Sequence, residues 1–182
     1  MNIDNLRILV IGSPGSGKTI FAKKLANILH VPLYHLDDLY WGTNWIRVSS
    51  DKMVSILHKL CSSSSWIIDG NHFKTLEIRA SYANLVIYLD IPVSLCLWRF
   101  LLRSIKRFFG EKSTLPKKIK FDKNYRPKFH IEWHLIKLIV LFKFKTKPKI
   151  LDLLNNYNLN NIRLTSLGAV ETYINSLSRL IR

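Results

Sequence analysis

Acidic residues are scarce in this 182-residue chain: 12 Asp or Glu stand against 28 Lys or Arg, for a net charge of +16. The deficit is local. Between Arg99 and Lys149 there are 16 Lys or Arg and only three acids (Glu111, Asp122 and Glu132), so this stretch carries +13 of the total. Such a field attracts phosphates, whether of a nucleotide, a nucleic acid backbone or an anionic membrane surface. Cysteine is nearly missing too. Cys61 and Cys96 lie far apart and match no metal or redox spacing, so both read as small core hydrophobes in a reducing compartment. Long apolar runs are also lacking. Leu135 to Phe142 is interrupted by Lys137 and bounded by Lys143, well short of the roughly 20 apolar residues that span a bilayer. The first apolar stretch, RILVI, is not a signal peptide, and the cytoplasm is the expected location. His130 and His134 sit i, i+4, but Glu132 lies midway between them rather than directly after the first, so the metalloprotease pattern is absent.

The octapeptide Gly12-Ser13-Pro14-Gly15-Ser16-Gly17-Lys18-Thr19 fits G-x-x-x-x-G-K-[ST]. Arg7 to Ile11 reads as an apolar strand before it. Lys18 to Leu29 reads as an amphipathic helix after it, with Phe21, Leu25, Ile28 and Leu29 on one face. In that context the loop's inward-facing amides and the positive end of the helix form a phosphate cradle. Lys18 is expected to reach the β and γ phosphates of ATP, and the Thr19 hydroxyl to coordinate Mg²⁺.

Further strands are expected at Val31 to His35, Trp66 to Gly70, Leu85 to Asp90 and Asn161 to Ser166. Helices are expected from about Ser50, over Phe73 to Tyr82, from Pro92 with Leu95, Trp98, Leu102 and Ile105 on its apolar stripe, over Phe129 to Phe144, and over Ala169 to Ile181. Gly110 to Lys128 reads as a mobile basic loop. The pattern predicts one α/β domain spanning 1–182: a three-layer α/β/α sandwich with a parallel five-stranded sheet and a basic lid-like insertion at about 108–128. The phosphate loop, Asp37, Asp69 and Asp90 all fall at strand carboxyl ends, where such sheets bind ligands.

Phosphoryl transfer needs a metal ligand, an acceptor-side base and cations for the migrating group. Asp69, closing an apolar strand, is the candidate Mg²⁺ ligand; the alternative is a cap on the Gly70 turn. Asp37 is the candidate for accepting a hydroxyl proton, ahead of Asp38. Arg99 and Arg103, four apart on one helical face, either clamp a γ-phosphate or form a solvated cationic face. Arg79 either contacts an anionic acceptor or pairs with a surface acid such as Glu77. Tyr40, Trp41 and Trp45 are candidates for a stacking wall against a planar acceptor.

LVIGSPGSGKTIFAKKLA, YHLDDLYW, WIIDGNH, VIYLDIP and CLWRFLLR, in that order, together resemble the small P-loop proteins known as DNA topology modulation proteins, relatives of adenylate kinase. The resemblance covers about residues 6–107 closely. It implies an adenylate-kinase-like P-loop NTPase fold, ATP binding at Gly12 to Thr19, a Mg²⁺-linked role for Asp69 and a lid role for Arg99 and Arg103. Adenylate kinases carry D-G-[FY]-P-R where this chain has Asp69-Gly70-Asn71-His72-Phe73, so AMP is not the expected acceptor. LDDLY instead resembles the L-D-D-F-Y of nucleoside kinases. The expectation is ATP-dependent phosphoryl transfer to a small acceptor, with a DNA-associated ATP-binding regulator, using the basic 99–149 segment, as the alternative.

Overall fold

The computed structural model describes residues 5–42, 45–112, 115–121 and 133–180. Its sheet contains β1 (Arg7–Gly12), β2 (Leu33–His35), β3 (Trp66–Asp69), β4 (Leu85–Leu89) and β5 (Asn161–Leu164), all parallel, in the order β2-β3-β1-β4-β5. Each expected strand is present, some shorter at one end. The strands are nearly all apolar because helices cover both faces, as a parallel sheet requires.

Alternate residues of each strand sort to opposite faces. Ile8, Val10, Ile67, Ile87 and Leu89 join one core with Phe21 and Leu25 of α1 (Lys18–Leu29), Cys96 and Phe100 of α5 (Val93–Phe108), and Ile174 and Leu177 of α9 (Leu167–Leu180). Leu9, Ile11, Trp66, Ile68, Val86 and Tyr88 join the other with Met53 and Leu57 of α3 (Ser50–Cys61), Leu76 of α4 (Leu76–Tyr82), and Ile150 and Leu154 of α8 (Lys147–Asn156). Cys61 and Cys96 are buried, free and in different cores, which agrees with a packing role; burial pushes the Cys61 thiol up to about 11.

Several elements differ from expectation. Leu36–Tyr40, read as a strand end and loop, forms the short helix α2. A 3₁₀ turn, Phe73–Thr75, precedes α4. The expected loop at 110–128 contains a one-turn helix, α6 (Lys117–Lys120), with Pro116 at its N-cap. The helix α7 (Trp133–Leu141) passes through a π-helical turn (Phe142–Thr146) into α8, so helical structure runs well beyond Phe144. Pro148 lies in the first turn of α8, where its missing N–H does no harm. His130, Glu132 and the first part of the helix expected from Phe129 lie outside the described residues.

The stripe expected on α5 is turned outward. Cys96 and Phe100 occupy the core, whereas Trp98, Leu102 and Ile105 are exposed and only Leu95 is half-buried. The basic residues Arg99, Arg103, Lys106 and Arg107 share one side of the helix, with Cys96 and Phe100 beside them, so the side that enters the core is not the most apolar one. This orientation turns Arg99 toward the phosphate loop.

Candidate active site

The loop between β1 and α1 wraps closely against its surroundings. Gly15 has φ +82°, and a Cβ there would lie 2.3 Å from the Cys96 carbonyl oxygen; one on Gly12 would lie 2.5 Å from that of Leu89. Glycine is demanded by contact with β4 and α5 as well as by turn geometry. Ser16 is buried and its hydroxyl has no hydrogen-bond partner among the described residues. Lys18 Nζ donates to the carbonyls of Gly12 and Ser13, both at 2.9 Å. Burial lowers the Lys18 pKa, opposed by the charges of Asp69 and Asp37.

Because β3 lies between β2 and β1, its last residue is flanked by both: Asp69 pairs in register with Val10 on one side and His35 on the other. The buried Asp69 Oδ2 accepts from Thr19 Oγ1 at 2.7 Å and lies 3.0 Å from His35 Nδ1. Both donors fall on one oxygen, and Oδ1 has no partner among the described residues. A buried carboxylate oxygen without a donor is costly unless a ligand or water reaches it. Thr19 and this orphaned oxygen therefore fit a Mg²⁺-nucleotide. No group of three or more His, Cys, Asp or Glu residues that would hold a metal ion occurs among the described residues. Nucleotide phosphates would thus supply part of the shell.

Asp37 faces the cleft from the first turn of α2. Desolvation raises its pKa, as does Asp69, against the pull of Lys18 and Arg103. Lys18 and Asp37 thus sense each other's charge. Asp38 turns elsewhere: its Oδ1 accepts the Lys117 N–H at 2.6 Å, so it caps α6 and ties that helix to α2. Arg99 lies at the start of α1, with Nη1 3.3 Å from where a Gly17 Cβ would be. The Arg103 guanidinium lies 5.5 Å from the Phe100 ring centroid, and its charge is felt by both Lys18 and Asp37. The two arginines therefore sit with the loop rather than forming a solvated face.

The aromatic residues form a flap. Gly42 N–H donates to Ile46 O and Val48 N–H to Tyr40 O, which brings 45–48 alongside 40–42. Trp41 packs edge-on to both Tyr40 and Trp45, at 5.0 and 5.3 Å between ring centroids, and Tyr40 lies 4.4 Å from His72. Arg47 covers Trp41 and Tyr40 at 5.4 and 5.9 Å. Burial and Arg79 lower the His72 pKa, so the ring beside Tyr40 is neutral near pH 7.

Arg79 does not face an acceptor, and no acid pairs with it among the described residues. It is fully buried and donates to the carbonyls of Gly70, Asn71, His72 and Thr75. Its place on the inner side of α4 makes it a brace for the turn after β3. That turn presents Asn71, whose side chain accepts from Gly12 N–H at 3.1 Å and donates to Gly12 O at 2.7 Å, clamping it to the phosphate loop. Asp90, also at a strand end, is held by Lys147, Arg163 and Tyr88 and serves as a structural anchor. His35, Arg47 and Asn71 were not foreseen. Only Asn71 had a visible signal, an amide immediately after the Asp-Gly turn.

The profile of the ATPase family associated with various cellular activities (AAA) matches residues 8–70, the stretch from β1 to the turn after Asp69. No curated protein sequence matches the chain. Among solved structures, shikimate kinase from Acinetobacter baumannii in complex with shikimate is similar over 96% of this chain and 91% of its own, at 21% identity and TM-score 0.58. Shikimate kinase from Bacteroides thetaiotaomicron is similar over 97% and 98%, at 16% identity and TM-score 0.53. A gluconokinase from Sinorhizobium meliloti 1021 is similar over 97% and 94%, at 12% identity and TM-score 0.52. With the sheet order and the loop, these likenesses show that the chain has a P-loop NTPase fold of the small-kinase kind.

Proposed function

We propose that the protein transfers the γ-phosphoryl group of ATP to a hydroxyl of a small molecule other than AMP. The observation that carries this reading is Asp37: a carboxylate of raised pKa, across the cleft from Lys18, within electrostatic reach of Asp69 and Arg103. An ATP-binding regulator would have no use for a base there. Gly12 to Thr19 wrap the phosphates, and Lys18, Arg99 and Arg103 neutralise charge on the migrating group. Thr19 and Asp69 would hold Mg²⁺, which when bound offsets the charge of the β and γ phosphates. Asp37 orients the acceptor hydroxyl and takes its proton as the new P–O bond forms and the bond to the β-phosphate oxygen breaks. Tyr40, Trp41 and Trp45 form the acceptor wall.

The test is ATP turnover over a panel of hydroxylated acids, sugars and nucleosides. Shikimate and gluconate lead the panel because of the structural neighbours. Stimulated turnover that Lys18→Ala abolishes and Asp37→Asn sharply lowers is expected. ATP binding by Lys18→Ala as tight as wild type, or no stimulation across the panel, overturns the proposal. The second reading, a DNA-associated regulator of the topology modulation kind, rests on the +13 stretch alone. It requires duplex binding with a steep log-salt slope.

A further inference from the structure

A carboxylate that serves a metal must present a chosen oxygen, yet the terminal torsion of an aspartate is broad and roughly two-fold. Its orientation has to come from donors. Asp69 is buried, and its two side-chain donors among the described residues both meet Oδ2: Thr19 Oγ1 from α1 at 2.7 Å and His35 Nδ1 from β2 at 3.0 Å. The carboxylate is thus gripped from two elements, while Oδ1 keeps no partner among the described residues. Thr19 is itself expected to hold Mg²⁺, so it is no independent anchor for Asp69. His35 is one.

Sheet register puts His35 there. It lies directly opposite Asp69 in the β2–β3 pairing, so both side chains leave the sheet on the same side. Its side chain is only 17% exposed. His35 is also the N-cap of α2, but its ring makes no capping bond and is spent on Asp69 instead. An ionised carboxylate only accepts, which places the ring proton of this contact on Nδ1.

We propose that His35 is a positioning residue for the Mg²⁺-nucleotide: by holding Asp69 Oδ2 it reserves Oδ1 for the metal or its waters, and so sets how far Mg²⁺ tightens nucleotide binding. His35 touches neither nucleotide nor metal in this role; it acts through Asp69. The role rests on the assignment of Mg²⁺ to Thr19 and Asp69, and on no acceptor or turnover.

The experiment is calorimetric titration of the full chain with a non-hydrolysable ATP analogue, in excess Mg²⁺ and in EDTA, for wild type, His35→Leu and His35→Asn. Leucine roughly fills the space without a donor, and the asparagine amide nitrogen can stand near the place of Nδ1. Mg²⁺ should tighten binding of the analogue to wild type. In His35→Leu that gain should shrink about tenfold or more, the usual cost of losing the partner behind a metal ligand, with affinity in EDTA unchanged. His35→Asn should restore most of it. A merely structural role would lower both affinities together and would not distinguish Asn from Leu. Equal losses with and without Mg²⁺, an undiminished gain in His35→Leu, or a gain in His35→Asn no better than in His35→Leu therefore overturns the proposal. So does a wild type for which Mg²⁺ brings no gain, and the metal assignment falls with it. Failure of every acceptor to stimulate ATP turnover would overturn the kinase reading alone, because this titration needs neither acceptor nor turnover.

Discussion

Replacing Arg79 with Met separates a bracing role from a substrate-binding one. The guanidinium donates to four carbonyls: Asn71 at 2.7 Å, Gly70 at 3.0 Å, His72 at 3.2 Å and Thr75 at 3.3 Å. His72 O also accepts from the Thr75 amide and hydroxyl, whereas Gly70 O and Asn71 O have no other donor among the described residues. Leaving these two carbonyls unpaired costs about 1–3 kcal/mol each. Part of that is offset because a buried charge, whose pKa desolvation brings down to about 10, disappears with the side chain. Met roughly matches the arginine stem in length, so the cavity term is small. The net expectation is a loss of about 2–4 kcal/mol, a large share of the 5–15 kcal/mol or so that holds a typical domain. Urea unfolding at unchanged m-value measures it. Since Arg79 braces the turn that carries Asn71, ATP affinity should fall as well, and Arg79→Lys should recover little because one ammonium cannot match the planar fork. Stability within about 1 kcal/mol of wild type, with the defect confined to the acceptor KM, would refute this reasoning and return Arg79 to the acceptor site.

Gly15→Ala combines a left-handed backbone, costing a side-chain-bearing residue about 1–2 kcal/mol, with a Cβ 2.3 Å from the Cys96 carbonyl. The loop must shift, and ATP affinity measured by calorimetry should fall about tenfold or more. Asp38→Ala removes the cap on α6, worth about 1 kcal/mol; trypsin should cleave at Lys117 and Lys118 several times faster, with the global unfolding midpoint nearly unchanged. For Asp90, burial alone would raise the pKa, but hydrogen bonds from Lys147, Arg163 and Tyr88 outweigh it and hold the carboxylate below its ordinary 3.8. A depressed pKa stabilises the fold above the unfolded value and ceases to do so as pH falls through the folded one. Asp90→Asn should therefore destabilise at pH 7, and its unfolding free energy should converge with that of wild type below pH 3.8. Asp37 shifts the other way: the acid limb of kcat should lie above 3.8, and Asp37→Asn should remove that limb and lower kcat by a factor of about 10² to 10⁴.

The phosphate side of the cleft was legible because it is local. Gly12 to Thr19 are contiguous, and the flanking strand and helix announce themselves by period and length. Asp37 and Asp69 were visible because each follows a short apolar run. What sequence could not reveal depends on partners far along the chain. Arg79 is nine residues from Gly70, and nothing local says whether its guanidinium turns outward to a ligand or inward to carbonyls. Asn71 meets Gly12 across 59 positions, and Asp38 meets Lys117 across 79. The outer stripe of α5 was legible as apolar, but its direction was not, since Cys96 and Phe100 fill the core from the other side.

The position of Asp37 is set by sheet register rather than by the element that carries it. β2 and β3 pair so that His35 lies beside Asp69, and the His35 ring meets the same carboxylate oxygen that accepts from Thr19. That contact joins β2 to the first turn of α1. Asp37 lies two residues beyond His35, so its place in the cleft follows from the same pairing. A slip of β2 by one residue would turn His35 to the opposite face of the sheet. It would also take Asp37 away from Lys18, although the phosphate loop itself would be untouched. Two donors on Asp69 Oδ2 and none on Oδ1 among the described residues are the local signature of this arrangement: the fold fixes one oxygen and leaves the other without a protein donor.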